Sequence, residues 1–138
     1  MKNSLQTLTR IKKFDIDEQR KILVEYQTVE DKLLAALKDL NAEFEREKLF
    51  SAQNPGIGDF GAYVKRYMRQ REELEAALAD IRSKIAAVQE VIADMFKEQK
   101  TFEIVDDNRK KRKIKEDNDK EQKMLDEIGT NNYIKHNK

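Results

Sequence analysis

The chain has 138 residues, of which 40% are charged and 38% hydrophobic, and its 28 Lys and Arg nearly balance 27 Asp and Glu. That leaves room for one domain at most, and too few apolar residues and turn formers (no Trp, one Pro, four Gly) for a compact globule. A formal net charge of +1 sets up no global field for nucleic acid or anionic membrane, and the absence of Cys excludes disulfides, thiolate catalysis and Cys-type metal sites.

In chain order, residues 1–13 alternate polar and basic residues with single apolar ones, so they lack the continuous apolar core of a signal peptide. No later stretch is apolar for long enough to span a bilayer. With no Cys, which suits a reducing compartment, the expectation is a cytoplasmic protein.

A first helix is expected over about residues 4–51. Within it Ile11, Ile22, Leu33 and Phe44 recur every eleven residues, with Tyr26, Val29, Leu37 and Leu40 filling the stripe. An eleven-residue repeat relaxes or reverses the supercoil that a heptad imposes. A loop over 52–60 follows, because Pro55, Gly56, Gly58 and Gly61 concentrate the helix breakers in one stretch.

The second helix is expected over about 61–128. Tyr67, Leu74, Ile81, Val88, Met95 and Phe102 repeat every seven residues, and Leu78, Ile85 and Ile92 repeat in the same frame. Apolar residues at both core positions of a heptad form a coiled-coil seam. Gly129 begins a tail, 129–138, expected to be flexible; it holds the lone His136.

The short loop makes the two arms pair antiparallel within the chain. The fold class is therefore all-α: one long two-helix antiparallel coiled-coil hairpin over residues 1–138. If residue 50 faces about residue 62, Leu5 faces about residue 107, and the C-terminal helix overhangs by about 30 Å at 1.5 Å per residue. Ile114, Met124, Leu125 and Ile128 are its large apolar residues, and a solitary polar helix is marginal in water. Such a segment either frays or becomes ordered inside a partner.

Catalytic chemistry finds little footing. His136 has no convergent carboxylate or thiol near it in sequence, and Gly56-Ile57-Gly58 follows no strand and reads as a turn. A rod offers no concave pocket in which carboxylates would be desolvated. No cofactor or metal is expected, and the chain reads as a protein that binds other proteins and not as an enzyme.

The basic run Arg109-Lys110-Lys111-Arg112-Lys113 could grip phosphates, but acids flank it on both sides, its residues point around the helix, and no aromatic residues interleave for base stacking. An acidic or polar protein surface is the better match. Phe44, Tyr67 and Phe102 lie on the seams. Phe50, Phe60 and Tyr63 cluster at the loop end, either as a cap that closes the tip or as an interface anchor.

Three stretches carry a resemblance. Phe96-Lys97-Glu98-Gln99-Lys100-Thr101-Phe102-Glu103, the basic run, and Glu121-Gln122-Lys123-Met124-Leu125-Asp126-Glu127-Ile128 together resemble the flagellar FliJ family. The start, Leu8-Thr9-Arg10-Ile11-Lys12-Lys13-Phe14 followed by an acidic-basic cluster, is similar to that family too. The resemblance implies a soluble, stalk-like coiled coil of the flagellar type III export apparatus, peripheral at the inner membrane. Its implied partners are the hexameric export ATPase, the cytoplasmic domain of the export-gate protein and export chaperones. It places Arg109, Lys110, Arg112, Lys113, Leu125, Asp126 and Glu127, with Lys12 and Lys13 alongside, against the ATPase. Phe60 and Tyr63 are the residues matched to the gate contact. Two other readings stay open: a coiled-coil adaptor or chaperone of a virulence-type secretion system, and a nucleic-acid-binding coil.

Overall fold

Two helices account for the fold in a computed structural model: α1, Lys2–Gln53, and α2, Phe60–His136. The structure describes the backbone over residues 2–136 and the side chains over 4–134. The expected all-α, two-helix antiparallel hairpin is what forms. Residues 137 and 138, and the side chain of His136, lie outside the described residues.

The turn between the helices is built from its breakers. Ile57 N–H donates to the Asn54 carbonyl at 3.3 Å, closing a four-residue turn with Pro55 and Gly56 at its centre. Pro55 presets the second position, and Gly56 takes the third with φ 85°. Gly58 has φ 75° and resets the chain direction. Asp59 then caps α2: Ala62 N–H donates to Asp59 Oδ1 at 3.0 Å, and Tyr63 N–H to the Asp59 carbonyl at 3.2 Å.

Tertiary contacts divide the chain into two units: Phe14–Met95, and Met1–Lys13 with Phe96–Lys138. In the first unit Leu78, Ile81 and Ile85 form the buried core, and Leu23, Tyr26 and Leu33 of α1 pack on them. Each such buried side chain contributes about 1.5–3 kcal/mol. Ile16 and Tyr67 are also buried. Tyr67 Oη donates to Asn41 Oδ1 at 2.6 Å, and Arg82 Nε to Glu30 Oε2 at 3.1 Å. Partners on α2 thus rise in number as those on α1 fall, which is the antiparallel register.

The eleven-residue reading of α1 needs correction. Its covered apolar residues are Ile16, Ile22, Leu23, Tyr26, Leu33, Leu37, Leu40 and Phe44, and all but Ile22 are spaced by alternating threes and fours or by sevens, as in α2. Val29 in this unit and Ile11 in the other are exposed, at 43% and 50%. The partner helix presents a heptad stripe, and only a matching stripe on α1 stays in contact with it along its length.

In the second unit Lys12 forms an ion pair with Glu98. Leu5, Thr9 and Lys12 of α1 are half-buried, as are Gln99, Phe102 and Asp106 of α2. From Asp107 to Ile134 every residue of α2 is exposed. At 1.5 Å per residue that is about 40 Å of helix with solvent on all sides. The helix also passes the expected stop at Gly129 and runs to His136, where a flexible tail is the sequence expectation. Gly129 carries no positive φ. Without a left-handed C-cap or a following Pro, one glycine weakens a helix by about 1 kcal/mol and does not end it.

Candidate interaction surfaces

The second unit contains the expected basic residues, and the structure brings some of them together. Arg109, Lys110 and Lys113 line a groove of about 560 Å3 with Leu5 and Gln6 of α1. Asp106, Ile114 and Asp117 complete its walls. The participation of Leu5 and Gln6 is not legible in the basic run itself, because it depends on cross-helix register. Lys110 Nζ lies 3.1 Å from Asp106 Oδ2, an i,i+4 pair across one helical turn. Such exposed pairs contribute only about 0.3–0.5 kcal/mol, so the lysine remains available for exchange with an outside acid.

Arg112 is exposed and does not line that groove. Lys12 is held by Glu98, with its side chain 22% exposed, and Lys13 is exposed. Further along α2, Leu125 is 58% exposed beside Met124 at 62% and Ile128 at 51%. Asp126 Oδ1 accepts from Gln122 Nε2 at 3.2 Å. Asp126 and Glu127 share a shallow surface with Lys123 and Thr130. Fourteen residues separate Lys113 from Glu127, about 21 Å along the helix. The expected residues therefore form two clusters on one rod, not a single convergent patch. Among the described residues, no group of His, Asp and Glu is placed to hold a metal ion.

The tip aromatics belong to the first unit. Phe44 and Tyr67 stack with centroids 4.0 Å apart and an interplanar angle of 13°. Phe60 and Tyr63 lie 6.3 and 6.4 Å from Phe44, and 6.1 Å from each other. Arg71 covers the outer face of Tyr67 at 5.6 Å. Phe60 and Tyr63 are half-buried. Phe50 and Ile57 are more open, at 49% and 61%. Desolvation raises the Tyr63 phenol above its ordinary pKa of 10.0; the carboxylates of Glu43 and Glu47 raise it further, and Arg46 and Arg66 oppose them.

No described helix is long and apolar enough to cross a membrane. Neither the curated proteins nor the solved structures supply a match to this sequence. The family model described as "Flagellar FliJ protein" matches residues 1–138, the whole chain. The hairpin and its family match agree, and the chain belongs to the FliJ family, components of flagellar protein export.

Proposed function

We propose that the chain is a non-enzymatic stalk of the flagellar export apparatus, which binds the export ATPase through the free length of α2 and stimulates its turnover. The observation that carries this reading is the solvated helix from Asp107 to Ile134. A polar helix exposed on every face gains little from its own chain, and a helix of this kind is stabilised when a partner surrounds it. Its mixed basic and acidic surface suits the polar lining of a protein channel.

On this reading Arg109, Lys110, Arg112 and Lys113 meet the ATPase at the base of the free helix, and Leu125, Asp126 and Glu127 meet it further out. Lys12 and Lys13 lie alongside. Phe60 and Tyr63 contact the export gate, and the chain also binds export chaperones. The chain works in the cytoplasm, peripheral at the inner membrane through the apparatus.

The test is charge reversal. Arg109, Lys110, Arg112 and Lys113 all changed to Glu should abolish stimulation of ATP turnover while helicity, read by circular dichroism, is kept. Full stimulation by that variant removes the assignment. For the gate, Phe60→Ala with Tyr63→Ala should weaken binding of its cytoplasmic domain, and unchanged binding by a folded variant rejects that contact.

A further inference from the structure

The two edges of the first unit are chemically unequal. On one edge Ala36, Leu40 and Leu74 form the floor of an open groove of about 520 Å3. Asp39, Glu43 and Glu73 stand around it, with Gln70. Every charge that the groove carries is therefore negative.

The heptad register extends this edge. Sevenfold steps back from Ala36 reach Val29, 43% exposed, and Ile22, half-buried. Sevenfold steps forward from Gln70 reach Ala77, Lys84 and Val91, the last 41% exposed. An apolar stripe thus runs from Ile22 to Ala36, about 21 Å at 1.5 Å per residue. Glu25 adds to its acidic border. Lys84 and Asp80 neutralise each other, their charged atoms 3.3 Å apart, and Lys32 is a cation at a sevenfold step from Asp39.

The opposite edge has another character. Sevenfold steps there give Arg20, Gln27 and Asn41 on α1, and Glu75, Arg82 and Gln89 on α2, interrupted by Leu34 and Met68. Arg82 bridges to Glu30 across it at 3.1 Å. Signs alternate, and the helices satisfy each other.

We propose that the Ile22–Val29–Ala36 edge is a docking groove for a basic amphipathic helix of another protein, which completes a three-helix bundle with α1 and α2. Apolar residues spaced by seven are what an amphipathic helix reads, and the bordering carboxylates select one flanked by Lys and Arg. Charge also argues against a second copy as occupant. Two such edges brought together would set Asp39, Glu43 and Glu73 against their own duplicates, and like charges facing each other oppose association. This inference is independent of the ATPase reading, since it uses neither the free helix nor the basic run.

The experiment uses the full chain and a synthetic, fluorescent helical peptide of three heptads, with Leu at the core positions and Lys or Arg at the flanks. Saturable one-to-one binding is expected by anisotropy. Asp39→Lys, Glu43→Lys and Glu73→Lys together should weaken it at least tenfold, and Val29→Lys alone, or Ala36→Lys should Val29→Lys lower the melting temperature, should do the same. Glu45→Lys with Glu75→Lys, away from the groove, should leave it unchanged. Equal binding by a scrambled peptide of the same composition, equal binding by a Glu-flanked peptide, or equal loss with the two control reversals overturns the proposal. So does no binding at all. A dimer in sedimentation that Val29→Lys dissolves also overturns it, by making a second copy the occupant.

Discussion

Phe44 is the residue on which the tip depends. It stacks on Tyr67 at 4.0 Å and on the rings of Phe60 and Tyr63 at 6.3 and 6.4 Å, so three aromatic rings share one anchor. Offset aromatic pairs add about 0.5–1.5 kcal/mol beyond their area. Phe44→Ala should therefore cost about 2–4 kcal/mol in urea unfolding, in the range for large-to-small aromatic changes. A loss below about 1 kcal/mol would mean that the rings do not pack as a unit. Tyr63 adds a pH dependence. Its pKa is raised in the folded chain, by desolvation first and then by Glu43 and Glu47, so the folded state holds this proton more tightly than the unfolded state. The stabilisation is complete below the ordinary value of 10.0 and is lost as pH rises through the folded pKa. Tyr63→Phe should flatten the alkaline slope of stability, and a variant that keeps the slope assigns it elsewhere.

Glycine separates the elements, with opposite signs at different places. Gly56 and Gly58 sit at φ 85° and 75° with open space where a Cβ would stand. Replacing either by Ala costs only the backbone term, about 1–2 kcal/mol. Gly129 is helical and equally open, so Gly129→Ala should gain helix at the end of α2 by about 1 kcal/mol. Melting temperature for the first two and far-ultraviolet circular dichroism for the third check the pair. A stabilising Gly56→Ala or a neutral Gly129→Ala would contradict these backbone assignments. Asp59→Ala should remove the α2 cap and cost about 1 kcal/mol.

At this scale the sequence is legible wherever its period is unambiguous. The seam of α2 was plain because Tyr67, Leu78, Ile81 and Ile85 repeat in one heptad frame, and all four are buried. The α1 seam was not, because Ile11, Ile22, Leu33 and Phe44 mix covered and flanking positions. Eleven residues span just over three helical turns, so that spacing fits any face of a helix, and only the partner's stripe decides which is covered. Gly129 misled for a related reason: composition alone does not distinguish a cap from a helical glycine. The basic run was readable, while its groove with Leu5 and Gln6 required the antiparallel register.

For the whole molecule, the defining property is a division between helix that is packed and helix that is not. The first unit holds a seam of apolar contacts, and the second ends in a length of α2 exposed on every face. Removal of residues 108–138 should leave the melting of the Leu78–Ile81–Ile85 core nearly unchanged, since none of its packing partners is lost. The deleted chain should lose ATPase stimulation completely. A sharp drop in core stability would show that the free helix stabilises the hairpin.

The most direct measurement is titration of the full chain into the flagellar export ATPase while ATP turnover is followed, beside the chain with Arg109, Lys110, Arg112 and Lys113 changed to Glu. Saturable stimulation by the native chain and none by the reversed one are expected. Turnover that the native chain leaves unchanged, with no binding, would contradict the stalk function.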